Sequence, residues 1–167
     1  MTLNIGLFPG SFDPFTNGHL ATVKKALKIF DKLYIAVSTN TGKTALFSTP
    51  EKVALIKAAT AGLDRVEVIA APRKLTVDLA VELKAQALIR GLRNTADFEY
   101  EAGVAQMNKA QNTDIETIFF MADQKYTFIS SSMIKEVAAF GGDVSALVPA
   151  GVEAALKTKY SEKQAGE

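Results

Sequence analysis

The sequence predicts an α/β protein built on a doubly wound, parallel sheet of five strands flanked by helices. Short apolar segments alternate with longer segments of helical spacing along the chain, and this alternation is typical of a parallel sheet wrapped by helices. The segments 33–37 and 118–121 are apolar on both faces, as expected of buried parallel strands. The predicted strands are 5–8, 32–39, 66–70, 87–89 and 116–121.

A helical pattern follows most of the predicted strands. After the first strand, apolar residues recur at helical spacing from Leu20 to Phe30. Ser48 and Glu51, three residues apart, form a typical helix-start pair, and Pro50 is tolerated in the first turn. The other predicted helices are 75–85, 95–111, 131–140 and 151–160.

Length and composition are those of one ordinary globular domain. The chain has 167 residues, of which 48% are apolar and 22% charged, which excludes disorder or a coiled coil as a description of the whole chain. We expect one domain over residues 1–160 and a polar tail over 161–167. No run approaches the roughly 18 apolar residues of a spanning helix, and the first residues lack the basic region of a signal peptide. These features favour a cytoplasmic protein.

Charge and residue counts exclude several classes of function. Lysine plus arginine number 19 and aspartate plus glutamate 18, a net charge of +1, so nothing across the sequence favours nucleic acid or an anionic membrane as a partner. The absence of cysteine excludes disulfides, thiol catalysis and cysteine-ligated metals. His19 is the only histidine, so a metal site with two histidines cannot be built. Any bound anion must meet a local site.

The loop after the first predicted strand has the composition of a phosphate site. Residues 8–19 read FPGSFDPFTNGH, and Gly10 would let a ligand approach the backbone. Thr16 or Asn17 can cap the next helix, which places His19 in its first turn, where free N–H groups and the helix dipole attract anions. The alternative is a plain strand-to-helix turn with His19 at the surface.

Two arginines follow the fourth predicted strand. Arg90 and Arg93 bracket Gly91, and guanidinium groups suit phosphate oxygens. Asp97 and Glu101 share a face of the next helix, where they favour the helix dipole and could orient an arginine or bind a ribose. The alternative is that both arginines are surface residues paired with Asp97, Glu99 or Glu101.

Hydroxyl groups and a lysine follow two further strands. Ser130, Ser131 and Ser132 precede a helix; one of them is explained as a cap, while three in a row suggest donors aimed at an anion. Lys43 can reach a site as a point charge, although a solvated surface lysine is the alternative. Because the carboxyl ends of parallel strands meet at one sheet edge, four such loops predict a polyphosphate site. The chain has no P-loop lysine motif, no strand-linked G-x-G-x-x-G and no nucleophile elbow.

Several of these motifs resemble those of a known family. Residues 16–19 (TNGH) resemble the T/H-x-G-H signature of the nucleotidyltransferase superfamily, and residues 129–132 (ISSS) resemble its second signature. More narrowly, the segments PGSFDP, IRGLR, DFEYE and FISSS resemble bacterial phosphopantetheine adenylyltransferases, in order from about Ile5 to Tyr160. The resemblance implies a Rossmann-like fold. It also implies transfer of the adenylyl group of ATP to 4′-phosphopantetheine by direct in-line attack. The products would be dephospho-coenzyme A and pyrophosphate, in the penultimate step of coenzyme A synthesis.

The resemblance also implies roles for individual residues. The implied catalytic residues are His19, Ser11, Lys43 and Arg93. The implied ATP-binding residues are Ser11, Phe12, His19, Gly91, Leu92, Arg93, Glu101, Tyr126, Thr127, Phe128, Ile129, Ser130, Ser131 and Ser132. The implied phosphopantetheine-binding residues are Ser11, Lys43, Thr76 and Arg90.

The resemblance further implies a cofactor and an assembly. Mg²⁺ would be carried by ATP oxygens and water, with no dedicated protein site. The chain would form a homohexamer, a dimer of trimers, with coenzyme A as a feedback ligand. Helix 95–111 gives indirect support, because Phe98 and Ala102 make one side apolar while Tyr100 and Met107 make another apolar. The alternative is a helix wedged deep in its own fold.

Two other functions stay open at this point. One is a transferase of the same superfamily that acts on nicotinate mononucleotide or a small alcohol phosphate, and the segments 90–93 and 97–101 argue against it. The other is a non-catalytic nucleotide-binding regulator on the same fold. The presence of His19, Lys43 and the serines of 130–132 argues against that reading.

Overall fold

The structure, a computed structural model, describes residues 3–38 and 44–165, and of 163–165 only the backbone. The strands are β1 (Ile5–Gly10), β2 (Lys32–Val37), β3 (Val66–Ala70), β4 (Ala87–Leu92) and β5 (Glu116–Met121). The α-helices are α1 (Asn17–Ala26), α2 (Thr49–Ala59), α3 (Thr76–Glu82), α4 (Thr95–Gln111), α5 (Ser131–Ala139) and α6 (Ala150–Ala165), and a 3₁₀ turn, Gln124–Tyr126, follows β5. Among these residues, no helix has the length and apolar character needed to cross a bilayer.

The five strands form one parallel sheet in the order β3-β2-β1-β4-β5, which confirms the predicted doubly wound architecture. The chain builds outward from β1 to β2 and β3 on one side, and then to β4 and β5 on the other. This reversal leaves a crevice at the carboxyl ends of β1 and β4, which is where ligands bind in open α/β sheets.

Helices cover both faces of the sheet because successive strand residues point to opposite sides. On one face, Ile35 and Ile89 pack in a buried cluster with Val23 of α1. On the other face, Leu88 packs with Val77 of α3. Neighbouring residues of β4 therefore belong to different cores, and the strand is rigidly held where it ends at the crevice.

A third apolar cluster lies beside the sheet. It contains Phe47, just before α2, together with Ile134 of α5 and Val152 of α6, all three almost fully buried. Burying side chains of this size stabilises a fold by about 1.5–3 kcal/mol each. The cluster thus fixes α5, the helix whose first turn faces the crevice.

Several element bounds differ from the predicted ones. β1 and β4 extend to Gly10 and Leu92, because their pairing with the neighbouring strands continues that far. α3 is shorter than predicted, and Lys84 beyond it adopts a left-handed φ of 57°. α6 continues to Ala165, so 161–165 are helical. β2 ends at Val37 and is therefore shorter than predicted, and the predicted end at residue 39 lies outside the described residues.

The prediction that β5 is buried on both faces is wrong. Phe119 and Phe120 are only partly buried, and Met121 is 61% exposed. The cause is the position of β5 at the sheet edge, where it has one neighbouring strand, and the incomplete cover given by α4, whose one buried residue is Glu101.

Candidate active site

A cavity of about 310 Å³ opens at the crevice between β1 and β4. Its walls come from the loops after β1, β4 and β5 and from the first turns of α1, α4 and α5. The residues proposed from sequence that line it are Ser11, Phe12, His19, Arg90, Gly91, Arg93, Glu101, Tyr126, Ile129, Ser130 and Ser131. The structure therefore gathers side chains from three separate loops around one space.

The first turn of α1 fixes the orientation of His19. Thr16 is the N-cap, and its hydroxyl accepts a hydrogen bond from the His19 backbone N–H at 3.3 Å. In return, the Thr16 backbone N–H donates to Nδ1 of His19 at 3.0 Å. Since Nδ1 is an acceptor, the neutral ring carries its proton on Nε2. The capping box thus makes His19 a donor through Nε2.

The surroundings of His19 keep its ring neutral. The rings of Phe8, Phe12 and Phe15 lie with centroids 6.2, 5.1 and 5.4 Å from the imidazole. Burial, and then the positive charges of Arg93 and Arg90, lower the pKa of His19 from 6.5 to about 4. At neutral pH the residue can therefore donate a hydrogen bond but is a poor proton acceptor.

Gly10 lines the cavity and also has a packing role that the sequence did not predict. A Cβ added there would lie 2.8 Å from the ring of Phe12, and Phe12 itself adopts a left-handed φ of 46°. The absence of a side chain at this position lets the Phe12 ring pack over the end of β1. The expectation that a ligand approaches the backbone at Gly10 stays a prediction.

Arg90 is held by a buried carboxylate. Its Nε and Nη2 donate to the two oxygens of Glu101 at 2.7 and 2.5 Å, and its Nη1 donates to the Pro9 carbonyl at 2.9 Å. Glu101 is only 9% exposed. Bidentate pairing of this kind fixes the plane of the guanidinium group. Arg90 thus projects rigidly at the cavity wall.

Arg93 is held in the same way by Asp97. Nε and Nη2 donate to the carboxylate at 2.8 and 3.0 Å, and Nη1 donates to the carbonyl of Ile129 at 2.8 Å. The hydrogen bonds from Arg93 lower the pKa of Asp97, and the carboxylate raises the pKa of Arg93. The two alternatives left open by the sequence both apply: the arginines are paired with the acids, and they line the cavity.

These pairs balance the charge of the cavity wall. Among the described lining residues, two arginines face Asp97 and Glu101 while His19 is neutral. An anion would be met by the remaining guanidinium N–H groups, the His19 Nε2–H and the positive ends of α1 and α5. The described residues contain no group of three side chains that could hold a metal ion.

The three serines at α5 separate into different roles. Ser130 is the N-cap, and its hydroxyl accepts from the Met133 backbone N–H at 3.2 Å. Ser131 donates its hydroxyl hydrogen to the Pro14 carbonyl at 2.8 Å. Both line the cavity. Ser132 is exposed and is not among the lining residues, so one of the three predicted serines stands apart from this space.

The other residues proposed from sequence lie elsewhere. Leu92 is buried in the sheet, Phe128 is 57% exposed, and Thr127 is outside the cavity lining. Thr76 is the first residue of α3 and also stands outside the lining. Lys43 lies outside the described residues.

Thr22 is a lining residue that the sequence reasoning missed. Its hydroxyl donates to the Gly18 carbonyl at 3.2 Å, and it lies 3.3 Å from the position that a Cβ on Gly91 would take. Its position in the sequence could have indicated this role, because Thr22 stands three residues after His19 on α1 and so lies on the same helix face.

Comparison with known proteins agrees with this architecture. The model of the family described as cytidylyltransferase-like matches residues 7–137. A candidate nicotinate-nucleotide adenylyltransferase from Vibrio parahaemolyticus shares the fold, with a TM-score of 0.71 over 95% of each chain at 18% identity.

Curated relatives are much closer in sequence. The phosphopantetheine adenylyltransferase of Lacticaseibacillus paracasei is 56% identical over 97% of this chain and 97% of its own length. That of Latilactobacillus sakei subsp. sakei is 54% identical over 95% and 96%. Identity at this level over nearly the whole length places the chain in the phosphopantetheine adenylyltransferase family, within the cytidylyltransferase-like proteins.

Proposed function

We propose that this protein transfers the adenylyl group of ATP to 4′-phosphopantetheine, forming dephospho-coenzyme A and pyrophosphate in the synthesis of coenzyme A. The observation that carries the proposal is His19, a neutral hydrogen-bond donor fixed by Thr16 at the wall of the cavity. The high identity to phosphopantetheine adenylyltransferases over 97% of the chain supports the choice of acceptor.

The reaction is a single displacement at the α-phosphorus of ATP. An oxygen of the 4′-phosphate forms the new bond, and the bond to the oxygen that bridges to the β-phosphorus breaks. Pyrophosphate leaves with that electron pair. The attacking phosphate is already ionised at neutral pH, so no general base or covalent intermediate is needed. Catalysis then consists of positioning and of stabilising charge at the α-phosphoryl oxygens.

The cavity residues are suited to that task. His19 donates through Nε2–H to the α-phosphoryl group, where charge develops in the transition state. Arg93 adds a second donor at the cavity wall, and Ser11 adds a hydroxyl and a backbone N–H from the loop after β1. Lys43 and Arg90 receive the phosphate of phosphopantetheine, with Thr76 against the pantetheine chain.

Magnesium enters with ATP in this proposal. Both carboxylates of the cavity wall are committed to arginines, Asp97 to Arg93 and Glu101 to Arg90, and neither is free to serve as a ligand. Mg²⁺ prefers to keep several waters and to bind phosphate oxygens. When bound, it neutralises charge on the triphosphate.

Assembly and regulation also belong to the proposal. Helix α4 carries large exposed apolar residues, with Phe98 49%, Tyr100 71% and Met107 64% exposed, and β5 beside it is incompletely covered. Exposed apolar surface of this kind suits a subunit interface and so supports assembly. The number of copies in the proposal, a homohexamer built as a dimer of trimers, comes from the resemblance to the family. Coenzyme A, which contains the product, would act as a feedback ligand. A cytoplasmic location is also part of the proposal.

The direct test is pyrophosphate release from ATP and Mg²⁺ with different acceptors. We expect release with 4′-phosphopantetheine and none with nicotinate mononucleotide or without an acceptor. Release with nicotinate mononucleotide alone would move the protein to another transferase of the superfamily. With an α-thio-ATP of known configuration, single displacement predicts inversion at phosphorus, and retention would contradict it.

A further inference from the structure

Asp13 joins three segments of the chain through one carboxylate. It lies in the loop between β1 and α1 and is only 7% exposed. Its Oδ1 accepts from the Phe47 backbone N–H at 2.9 Å, and its Oδ2 accepts from the Leu46 backbone N–H at 2.9 Å. Lys135 of α5 donates its Nζ to Oδ2 at 2.8 Å. The carboxylate thus holds together the loop after β1, the segment before α2, and α5.

Two of these segments carry groups that the proposed reaction uses, and the third follows one such group along the chain. The loop after β1 carries Ser11 and leads to His19. The helix α5 begins at Ser131, after its N-cap Ser130, and both serines line the cavity. The segment that contains Leu46 and Phe47 follows Lys43 closely along the chain. Asp13 itself does not line the cavity, so it can act on the reaction only through the segments that it holds.

The charge around Asp13 makes its carboxylate difficult to replace. Burial alone would raise the pKa of Asp13, but the hydrogen bonds from Lys135 and from two backbone N–H groups lower it overall. Lys52 of α2 is 3% exposed. Burial lowers the pKa of Lys52, Asp13 raises it and Lys135 lowers it. Two lysines therefore face one carboxylate, and its removal leaves like charges together.

We propose that Asp13 is a positioning residue for adenylyl transfer. Through its hydrogen bonds it sets the loop that carries Ser11, the chain that follows Lys43, and the first turn of α5 in one arrangement. Loss of that arrangement displaces the phosphate-binding groups relative to one another. The inference rests on the proposed function, in which these groups bind the phosphates of the two substrates.

Asp13→Asn tests the inference. The amide has one acceptor oxygen and no charge, so it cannot hold both backbone N–H groups and Lys135 together. We expect kcat/KM for 4′-phosphopantetheine to fall by about a hundredfold, as for misplacement of reacting groups by about 1 Å. We also expect Tm to fall by about 10 °C because a largely buried ion pair is broken. Kinetics are measured well below the Tm of the variant.

Ile115→Ala is the matched control for stability. Ile115 is buried in the cluster that contains Leu88, just before β5, at the end of the sheet opposite the crevice, and its truncation lowers Tm without touching Asp13 or the segments that it holds. We expect kcat/KM within about threefold of the wild type at the same temperature. Equal losses of kcat/KM in the two variants would overturn the positioning role, as would an Asp13→Asn protein that is folded and as active as the wild type.

Lys135 provides a second pair of variants. Lys135→Arg keeps a donor and the charge, and it should retain activity within about threefold. Lys135→Met keeps the backbone bonds to Asp13 but releases α5, and it should lose about tenfold in kcat/KM, less than Asp13→Asn. Identical activity of the two variants would contradict the role of the Asp13–Lys135 pair.

Equilibrium binding separates this inference from the proposed reaction. If the wild type releases no pyrophosphate with phosphopantetheine, the proposed function fails, but binding of ATP with Mg²⁺ by calorimetry still tests Asp13. Asp13→Asn should then weaken binding by about tenfold, while Ile115→Ala leaves it unchanged. If the wild type and Asp13→Asn then bind ATP with equal affinity, the positioning role of Asp13 is contradicted.

Discussion

Acidification should destabilise this protein through one side chain, His19. Its pKa is about 4 in the folded protein, against 6.5 as the ordinary value. Between these values the unfolded chain binds the proton and the folded protein does not. The contribution of His19 to the free energy of unfolding is therefore fully present above about pH 6.5, and it is lost as the pH falls toward 4. Because His19 is the only histidine, no other imidazole contributes in this window.

The magnitude follows from the two pKa values. Between pH 7 and pH 5, a shift from 6.5 to about 4 removes about 2 kcal/mol of unfolding free energy. His19 is largely buried but keeps some exposure to the cavity, so solvent screening reduces the expected loss to about 1–2 kcal/mol. Tm should fall by about 4 °C. The pKa values of Asp13 and Asp97 are already lowered, so these carboxylates lose their contribution only at lower pH.

Urea unfolding of wild type and His19→Gln at the two pH values measures the effect. Glutamine in the third helical position can still accept from the Thr16 N–H, but it does not titrate. We expect the wild type to lose about 1–2 kcal/mol more than the variant. Equal losses in the two proteins, or an NMR titration of the His19 ring with a midpoint near 6.5, would refute a neutral, buried imidazole.

Three further predictions concern the arginine pairs, the end of β1 and the metal. Glu101→Gln should lower Tm by about 6 °C because it breaks the partly buried pair with Arg90. The control Glu99→Gln, on the exposed face of the same helix, should leave Tm unchanged. Equal Tm values for the two variants would count against the pairing. Gly10→Ala places a methyl group against the Phe12 ring and should cost about 1–3 kcal/mol in a urea titration, whereas Gly103→Ala, with open space around its Cβ, should be neutral or stabilising. A chelator should abolish pyrophosphate release yet leave Tm without ATP unchanged, and a rise in Tm with Mg²⁺ alone would contradict its entry with ATP.

Local pattern predicted most of the fold. Strand and helix types follow from apolar periodicity, and Thr16 and His19 stand at the spacing of a helix cap and its third residue, which the structure realises as a capping box. Arg90 and Arg93 could be placed at the cavity because both follow the predicted strand 87–89, although in the structure Arg90 lies within β4 and only Arg93 follows it. These inferences depend on residues close together in sequence, where geometry is set by the element itself.

Contacts between distant segments could not be predicted in the same way. The packing of Phe12 against Gly10 depends on a left-handed φ at Phe12. The bonds of Asp13 to Phe47 and Lys135 span 34 and 122 residues. The exposure of Met121 follows from the position of β5 in the strand order, and one sequence does not specify that order. Each of these features depends on tertiary packing.

The central claim is that His19 stabilises the transition state of adenylyl transfer through its Nε2–H. The most direct measurement is steady-state pyrophosphate release by wild type and His19→Ala, with ATP, Mg²⁺ and 4′-phosphopantetheine. We predict that kcat falls by about 10²–10³-fold, as on removal of one transition-state donor, while KM for ATP changes by less than about threefold. An unchanged kcat with a raised KM would contradict the claim and leave His19 as a ground-state contact.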